Sequence, residues 1–231
     1  MFGRRNLKNR NRWLETTLSR VPSGSTLLDA GAGEGANSKF YSHTRSTKQD
    51  ICIYDGIGDG TGLHTGEWDT SVIDLVCPIE DMPIEDGAFD TVLCTEVLEH
   101  LPNAEVAIQE LVRVLKPGGK LILTAPFASM VHFSPHFYST GFSNYFYEYC
   151  FKKFGCGVLE VSYNGDWYEC LAQELLRLPS MGASVFEKAL AVFSIPFVMC
   201  IYPFILLLSK LSKQRTSKIM CFGLHIIAVK K

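Results

Sequence analysis

The chain carries eight cysteines but no Cys-x-x-Cys pair, and Cys52, Cys77 and Cys94 lie in or beside apolar runs. That absence argues against a zinc site and a disulfide framework. The cysteines read as small core hydrophobes in a reducing compartment, and a cytoplasmic location is expected. Excess basic charge is missing too: 22 Lys and Arg against 24 Asp and Glu leave a net charge of −2. A general nucleic-acid binder carries a basic footprint, so no nucleic-acid partner is expected. The charged N-terminus has no apolar h-region, and no signal peptide is expected. What remains is 231 residues, 47% of them hydrophobic, which suits one globular α/β domain with modest additions.

The strongest signal is Leu27-Leu28-Asp29-Ala30-Gly31-Ala32-Gly33-Glu34-Gly35. An apolar run ends in Asp29 and enters three glycines at alternate positions. Ala36 to Tyr41, without Pro or Gly, suits a helix start. A buried strand, a tight turn and a helix N-terminus leave a backbone free of side chains, against which a nucleotide-type ligand can lie. Gly31 to Ala36 also satisfies the loose dinucleotide pattern. Asp55 closes the apolar run Ile51–Tyr54 about 20 residues further on, where a carboxylate takes the two ribose hydroxyls. Asp59, in the loop Ile57–Gly62, competes for that role; Asp55 is preferred because it directly ends an apolar run. The turn and the acid indicate a nucleoside ligand and leave its identity open.

Downstream runs narrow it. Phe89-Asp90-Thr91-Val92-Leu93-Cys94-Thr95-Glu96-Val97-Leu98-Glu99-His100 reads as a buried strand turning into a helix. Leu111 to Thr124 reads as a helix end, the turn Pro117-Gly118-Gly119 and another apolar strand. With Asp29–Gly35 and the segment Met82–Asp90, these runs resemble the ordered motifs of class I S-adenosylmethionine-dependent methyltransferases of the small-molecule type, over roughly residues 20–165. The resemblance implies an α/β fold with a Rossmann-like sheet of seven strands, mostly parallel with an antiparallel edge strand, and helices on both faces. A nicotinamide oxidoreductase gives no role to Phe89–His100 or Lys116–Thr124. Strands are expected near 26–30, 51–55, 73–77, 89–94, 119–124, 157–163 and 222–229, and helices near 8–20, 36–46, 104–115 and 140–153.

Two additions flank that core. Residues 1–22 form a basic helical extension, with Arg4, Arg5, Lys8, Arg10, Arg12 and Arg20 against Glu15. It reads as a solvated helix covering the sheet edge or the cofactor, or as a contact for anionic lipid or a phosphorylated substrate. The core is placed at 23–165, a helical apolar insert at 166–219 and the closing edge strand at 220–231. Within the insert, Ala189–Leu208 is uncharged and long enough to cross a bilayer. If the strands near 157–163 and 222–229 are neighbours, both ends of the insert lie on one side of a membrane, and Pro196 and Pro203 are expected to break the run into short pieces. The open alternatives are an interfacial or re-entrant helical pair, a buried lid and a dimer contact. Lys188 before the run, and Lys210, Lys213, Arg215 and Lys218 after it, suit anionic head groups.

The resemblance assigns the cofactor residues one by one. Asp29, Gly31, Gly33 and Gly35 cradle the methionine part and the ribose, Asp55 holds the ribose hydroxyls, Ile79 and Glu80 flank the adenine, and Thr95 joins the set. Pro78 stands where the family often has Asp, which leaves the adenine amino group to Glu80 or Asp81. Glu96, Glu99 and His100, with His132 or His136, resemble a divalent-cation arrangement. The same residues are frequent in metal-free relatives, and no metal is expected. The loop Pro126–Tyr138 lies where this fold places its acceptor, and it resembles a His-x-x-Pro stretch of methyltransferases linked to glycan and lipid biosynthesis, with Ser139 in place of a frequent Arg. His132 and His136 are the candidate bases, with His100 beside them. The expected reaction is O-methylation of a small or lipid-linked acceptor, a saccharide or quinone-like compound. The alternative is a non-catalytic binding or scaffold protein attached to a membrane or partner.

Overall fold

The computed structural model describes residues 4–180, 185–212 and 215–231. Lys213, and the side chains of Arg4 and Lys188, lie outside that set. Seven strands form one sheet: β1 (Thr26–Ala30), β2 (Arg45–Asp50), β3 (Leu75–Val76), β4 (Phe89–Thr95), β5 (Leu115–Pro126), β6 (Cys156–Asn164) and β7 (Gly223–Lys230). Their order is β3-β2-β1-β4-β5-β7-β6. The pairs β1–β2, β2–β3, β1–β4 and β4–β5 are parallel. β7 runs antiparallel to β6: the amide of Phe222 donates to Asn164 and that of Lys231 to Gly155, so numbers rise on one strand as they fall on the other. Leu27, Leu28, Val92, Leu93, Leu121 and Leu123 are fully buried. Such continuous apolar runs belong to parallel strands covered on both faces.

The helices are α1 (Arg4–Leu18), α2 (Ala104–Arg113), α3 (Asn144–Lys153), α4 (Trp167–Arg177), α5 (Val185–Val192) and α6 (Ile195–Ser212). Leu14 and Leu18 of α1 pack on Leu27, Leu93 and Ile122, so the second half of the basic extension is a cover for one sheet face. The chain divides into two compact units. One holds residues 11–162 with 224–231; the other holds 163–223 with the start of α1 through Arg10.

Three expectations are corrected. The second strand runs over Arg45–Asp50, not 51–55, and only a 3₁₀ turn, Ser38–Phe40, stands where a helix over 36–46 was expected. A strand starting at Arg45 leaves no room for that helix. The polar run Arg45–Asp50 enters the sheet because its backbone pairs with β1 and its buried amide, Gln49, is satisfied: Nε2 donates to the Cys77 carbonyl, and Oε1 accepts from the Gly31 amide. The apolar residues Ile51 and Ile53 leave the sheet and line a cavity instead of the core. The third correction concerns the prolines. The apolar run bends at Phe193–Ser194, and α6 is continuous through both. Pro196 sits in the first turn, where a missing N–H goes unused, and Pro203 removes one backbone bond. Among the described residues, α6 alone is long and apolar enough to cross a membrane.

Candidate functional site

A cavity of about 110 Å³ opens at the carboxyl ends of β1, β2 and β4. Open α/β sheets bind ligands at this edge. Its inner wall is backbone. Gly31 lies at φ +72°, and a Cβ there would stand 2.5 Å from Cγ2 of Val97, so the turn accepts no side chain. The Gly33 amide donates to Oδ2 of Asp50 at 2.9 Å, and Oδ1 of Asp50 accepts from the Cys52 amide at 2.8 Å. Asp50 thereby ties the glycine turn to the end of β2 while lining the cavity itself.

Beneath the turn, Asp29 is buried. The Tyr41 hydroxyl donates to its Oδ2 at 2.7 Å, and Oδ1 has no hydrogen-bond partner. Burial pushes its carboxyl up to about 6, only partly opposed by Tyr41 and Lys48. Beside the cavity, Cys52, Glu96 and Phe133 occupy the left-handed region at φ 54–55°, and no other described residue except glycine does so. Each such residue costs on the order of 1–3 kcal/mol, and this strain collects at ligand sites.

The outer wall is aromatic. The ring of Tyr54 stacks on Phe133 at 4.8 Å, and Trp68 meets both edge-on at 5.0 and 5.3 Å. Trp68 also closes over Gly33, where a Cβ would come within 3.1 Å of its ring. Between Tyr54 and Trp68 the chain forms a strap that is stapled to the loop carrying the histidines. The Leu63 amide donates to Val131, the Phe133 amide to Leu63 and the Asp59 amide to Ser134. The Ser134 hydroxyl donates to Asp59 and to the Thr61 carbonyl. The glycines of Gly56–Gly62 allow this approach: a Cβ at Gly58 or Gly62 would strike the carbonyl of Ser134 or Val131.

The histidines divide. Burial drives His100 down to about 4, so its ring is neutral, with Nδ1 2.6 Å from the His136 carbonyl. A neutral ring facing a carbonyl donates from Nδ1. His132 behaves oppositely. Burial pulls it down, but the Glu99 carboxylate, 3.6 Å from Nε2, and the Met130 carbonyl at Nδ1 more than offset that and hold the ring above its ordinary value. Burial likewise pushes the Glu99 carboxyl up, opposed in part by His132. Glu99, His100 and His132 bring their ligand-type atoms within 4.8 Å of one another.

Of the residues expected from sequence, Gly31, Ile79, Glu80, His100 and His136 meet around this cavity. Asp29, Gly33 and Gly35 form the turn and its floor, outside the lining itself. Thr95 stands behind the wall, accepting from Asn37 Nδ2 at 2.9 Å, and His132 packs edge-on against His100. Asp55 is not brought there: its carboxylate accepts from the amides of Ile57 and Gly58 and turns the exposed strap. Sequence reasoning missed Gln49, Asp50, Tyr54 and Trp68. A carboxylate 21 positions after Asp29 was there to be found, had the polar run before it been allowed as a strand.

Residues 28–123 match the family described as methyltransferase domain. That stretch of the chain is thereby similar to a methyltransferase domain, as the sequence motifs led one to expect. The chain is 35% identical over 113 residues to the ubiquinone biosynthesis O-methyltransferase of Xanthomonas axonopodis pv. citri (strain 306), a match covering 48% of this chain and 47% of that protein. The chain thus spans about half the length of the curated relatives it matches. Solved structures share the fold. The cyclase SpnF superposes with a TM-score of 0.56 at 18% identity over 95% of this chain and 80% of its own. The geranyl diphosphate C-methyltransferase of Streptomyces coelicolor A3(2), solved with S-adenosylhomocysteine, gives 0.54 at 14% identity over 97% and 79%. A cyclase and a methyltransferase on one fold show that the chemistry must be argued from the site.

Proposed function

We propose that the protein transfers a methyl group from S-adenosylmethionine to a hydroxyl of a small or lipid-linked acceptor, a saccharide or quinone-like compound. The observation that carries this is the pairing of two things in one cavity: a side-chain-free glycine turn beside the carboxylate of Asp50, and a histidine loop facing it. The bound cofactor supplies an electrophilic methyl on a sulfonium. Asp50, which ends β2 as Asp55 was expected to, takes the ribose hydroxyls. Gly31 offers a bare backbone, and Asp29 keeps one buried oxygen without a partner for the amino-acid end. Ile79 and Glu80 flank the adenine end of the same cavity.

The protein aligns donor and acceptor and removes one proton. His136 lines the cavity and is the base in this reading. His132 is engaged by Met130 and Glu99, and His100 by the His136 carbonyl, so both act by holding the loop. The apolar run 189–208 supports a lipid-linked acceptor and a peripheral position on a membrane.

The test begins with thermal melts in S-adenosylhomocysteine, S-adenosylmethionine and NAD. A ligand at 100 times its Kd adds about 2.7 kcal/mol, so the two sulfur nucleosides raise Tm and NAD does not. Methyl transfer is then assayed on phenolic and polyprenyl-linked saccharide acceptors. Transfer that is lost in His136→Ala with cofactor affinity intact supports the reading. Cofactor binding without transfer to any acceptor would favour the binding-module alternative.

A further inference from the structure

The chain leaves the sheet at Asn164, the end of β6, and returns at Gly223, the start of β7; the Phe222 amide donates to the Asn164 carbonyl at 2.8 Å. The excursion therefore begins and ends at one point. Within it, α6 packs on α4 through a face carrying Val198, Ile205 and Ser209, all buried. The hydroxyls of Ser209 and Ser212 donate to Oδ2 of buried Asp166, whose Oδ1 caps α4 by accepting from the Glu169 amide. The polar groups of α6 are thus satisfied on its inner side.

The outer side is the reverse of an ordinary protein surface. Phe193 is 80% exposed, Phe186 72%, Met199 71% and Phe204 58%, and no charge interrupts residues 189–209. Exposed Lys210, Arg215 and Lys218 follow at the end of the helix. A contiguous apolar face of this kind marks an interaction site, and an apolar face rimmed by cations is the pattern of helices that lie in a lipid interface.

We propose that α5 and α6 form a monotopic anchor, with their outer face among the acyl chains of one leaflet and the cations on anionic head groups. This rests on the peripheral reading above and gives it a surface, a depth and a lipid charge. Length excludes a crossing. The 18 residues of α6 reach about 27 Å, near the hydrocarbon thickness, but the chain must come back to Asn164, and the 8 residues of α5 reach only about 12 Å. One leg can cross and the other cannot.

The experiment is flotation of the full chain with vesicles of phosphatidylcholine, alone or mixed with phosphatidylglycerol. Bimane is attached to Cys200, the exposed cysteine on α6. Strong flotation is expected only with the anionic vesicles. Phe193→Glu with Met199→Glu lowers the partition by about tenfold or more, and Lys210→Glu with Arg215→Glu and Lys218→Glu brings it to the neutral-vesicle level. Brominated acyl chains quench the bimane, whereas a water-soluble quencher does not. Retained melting shifts with S-adenosylhomocysteine certify that the variants are folded. Absence of flotation overturns the anchor and the peripheral reading together. Flotation that survives Phe193→Glu with Met199→Glu, or bimane open to the aqueous quencher, overturns the anchor alone. A lipid-free dimer that the same double variant splits assigns the face to a second copy and also overturns it.

Discussion

The two walls of the cavity are built by opposite means. The inner wall is sheet-end backbone, held by strand pairing and by single glycines whose Cβ has nowhere to go. The outer wall is side chain, three aromatic rings brought together by two loops that are stapled to each other. The first is rigid because the core is rigid. The second rests on the five hydrogen bonds between the strap and the histidine loop and on those that tie the loop to Glu99 and His100. In the proposed reading, cofactor recognition and acceptor recognition therefore rest on elements of different stability, and each can be disturbed while the other stands.

The largest expected effect is on the inner wall. Gly31→Arg places its Cβ into Val97 at a φ that disfavours side chains and fills the turn with a guanidinium. The S-adenosylhomocysteine-induced Tm shift disappears while far-UV circular dichroism stays native; a surviving shift would remove the turn from the cofactor site.

Next comes pH. Asp29 titrates at about 6 in the free fold against an ordinary 3.8. Its folded value is raised, so the stability it contributes is complete below about pH 4 and is lost as pH rises through 6, by roughly 3 kcal/mol in all. A ligand ammonium pairs only with the ionised form. Affinity for S-adenosylhomocysteine, followed by calorimetry, then falls toward tenfold per unit as pH drops below 6, and Asp29→Asn flattens the profile. An unchanged slope in that variant would free Asp29 of the role.

The outer wall is probed by two glycines of one strap. A Cβ at Gly62 would lie 2.4 Å from the Val131 carbonyl, whereas at Gly60 nothing lies within 4 Å. Both sit at positive φ, so Gly60→Ala measures backbone strain, about 1 kcal/mol, and Gly62→Ala adds the lost approach. Amide hydrogen exchange at 131–134 quickens only in Gly62→Ala, and equal exchange in the two variants would mean that the strap does not hold the loop. The smallest effect belongs to exposed Asp59: Asp59→Ala removes one of the two acceptors of the Ser134 hydroxyl and leaves it the Thr61 carbonyl. Exchange at 131–134 rises modestly, with cofactor affinity unchanged within about twofold.

What the sequence revealed follows the same division. The glycine turn was legible because a backbone that tolerates no Cβ admits few residues, and the buried strands around it are unbroken apolar runs. β2 was misplaced because its chemistry is inverted. Polar Arg45–Asp50 pairs in the sheet, and apolar Ile51 and Ile53 turn outward to a ligand cavity, so hydrophobicity marked the pocket and not the core. Asp55 was expected at the cavity because of that one shift, and it lies outside the lining. Trp68 and Tyr54 left no trace, since the loop contacts that bring them to Phe133 obey no periodicity. The glycines at 56, 58 and 62 were visible, but only the opposing carbonyls explain them.

Gln49 has a consequence for the size of what the cavity can hold. Its amide reaches from the Gly31 N–H to the Cys77 carbonyl, the residue before Pro78, Ile79 and Glu80. In the proposed reading one side chain therefore acts as a caliper between the amino-acid end and the purine end of the pocket. Shortening it to Asn would leave both jaws unmet, so the length of ligand accepted is gauged by a residue of the sheet, out of reach of changes in the loops.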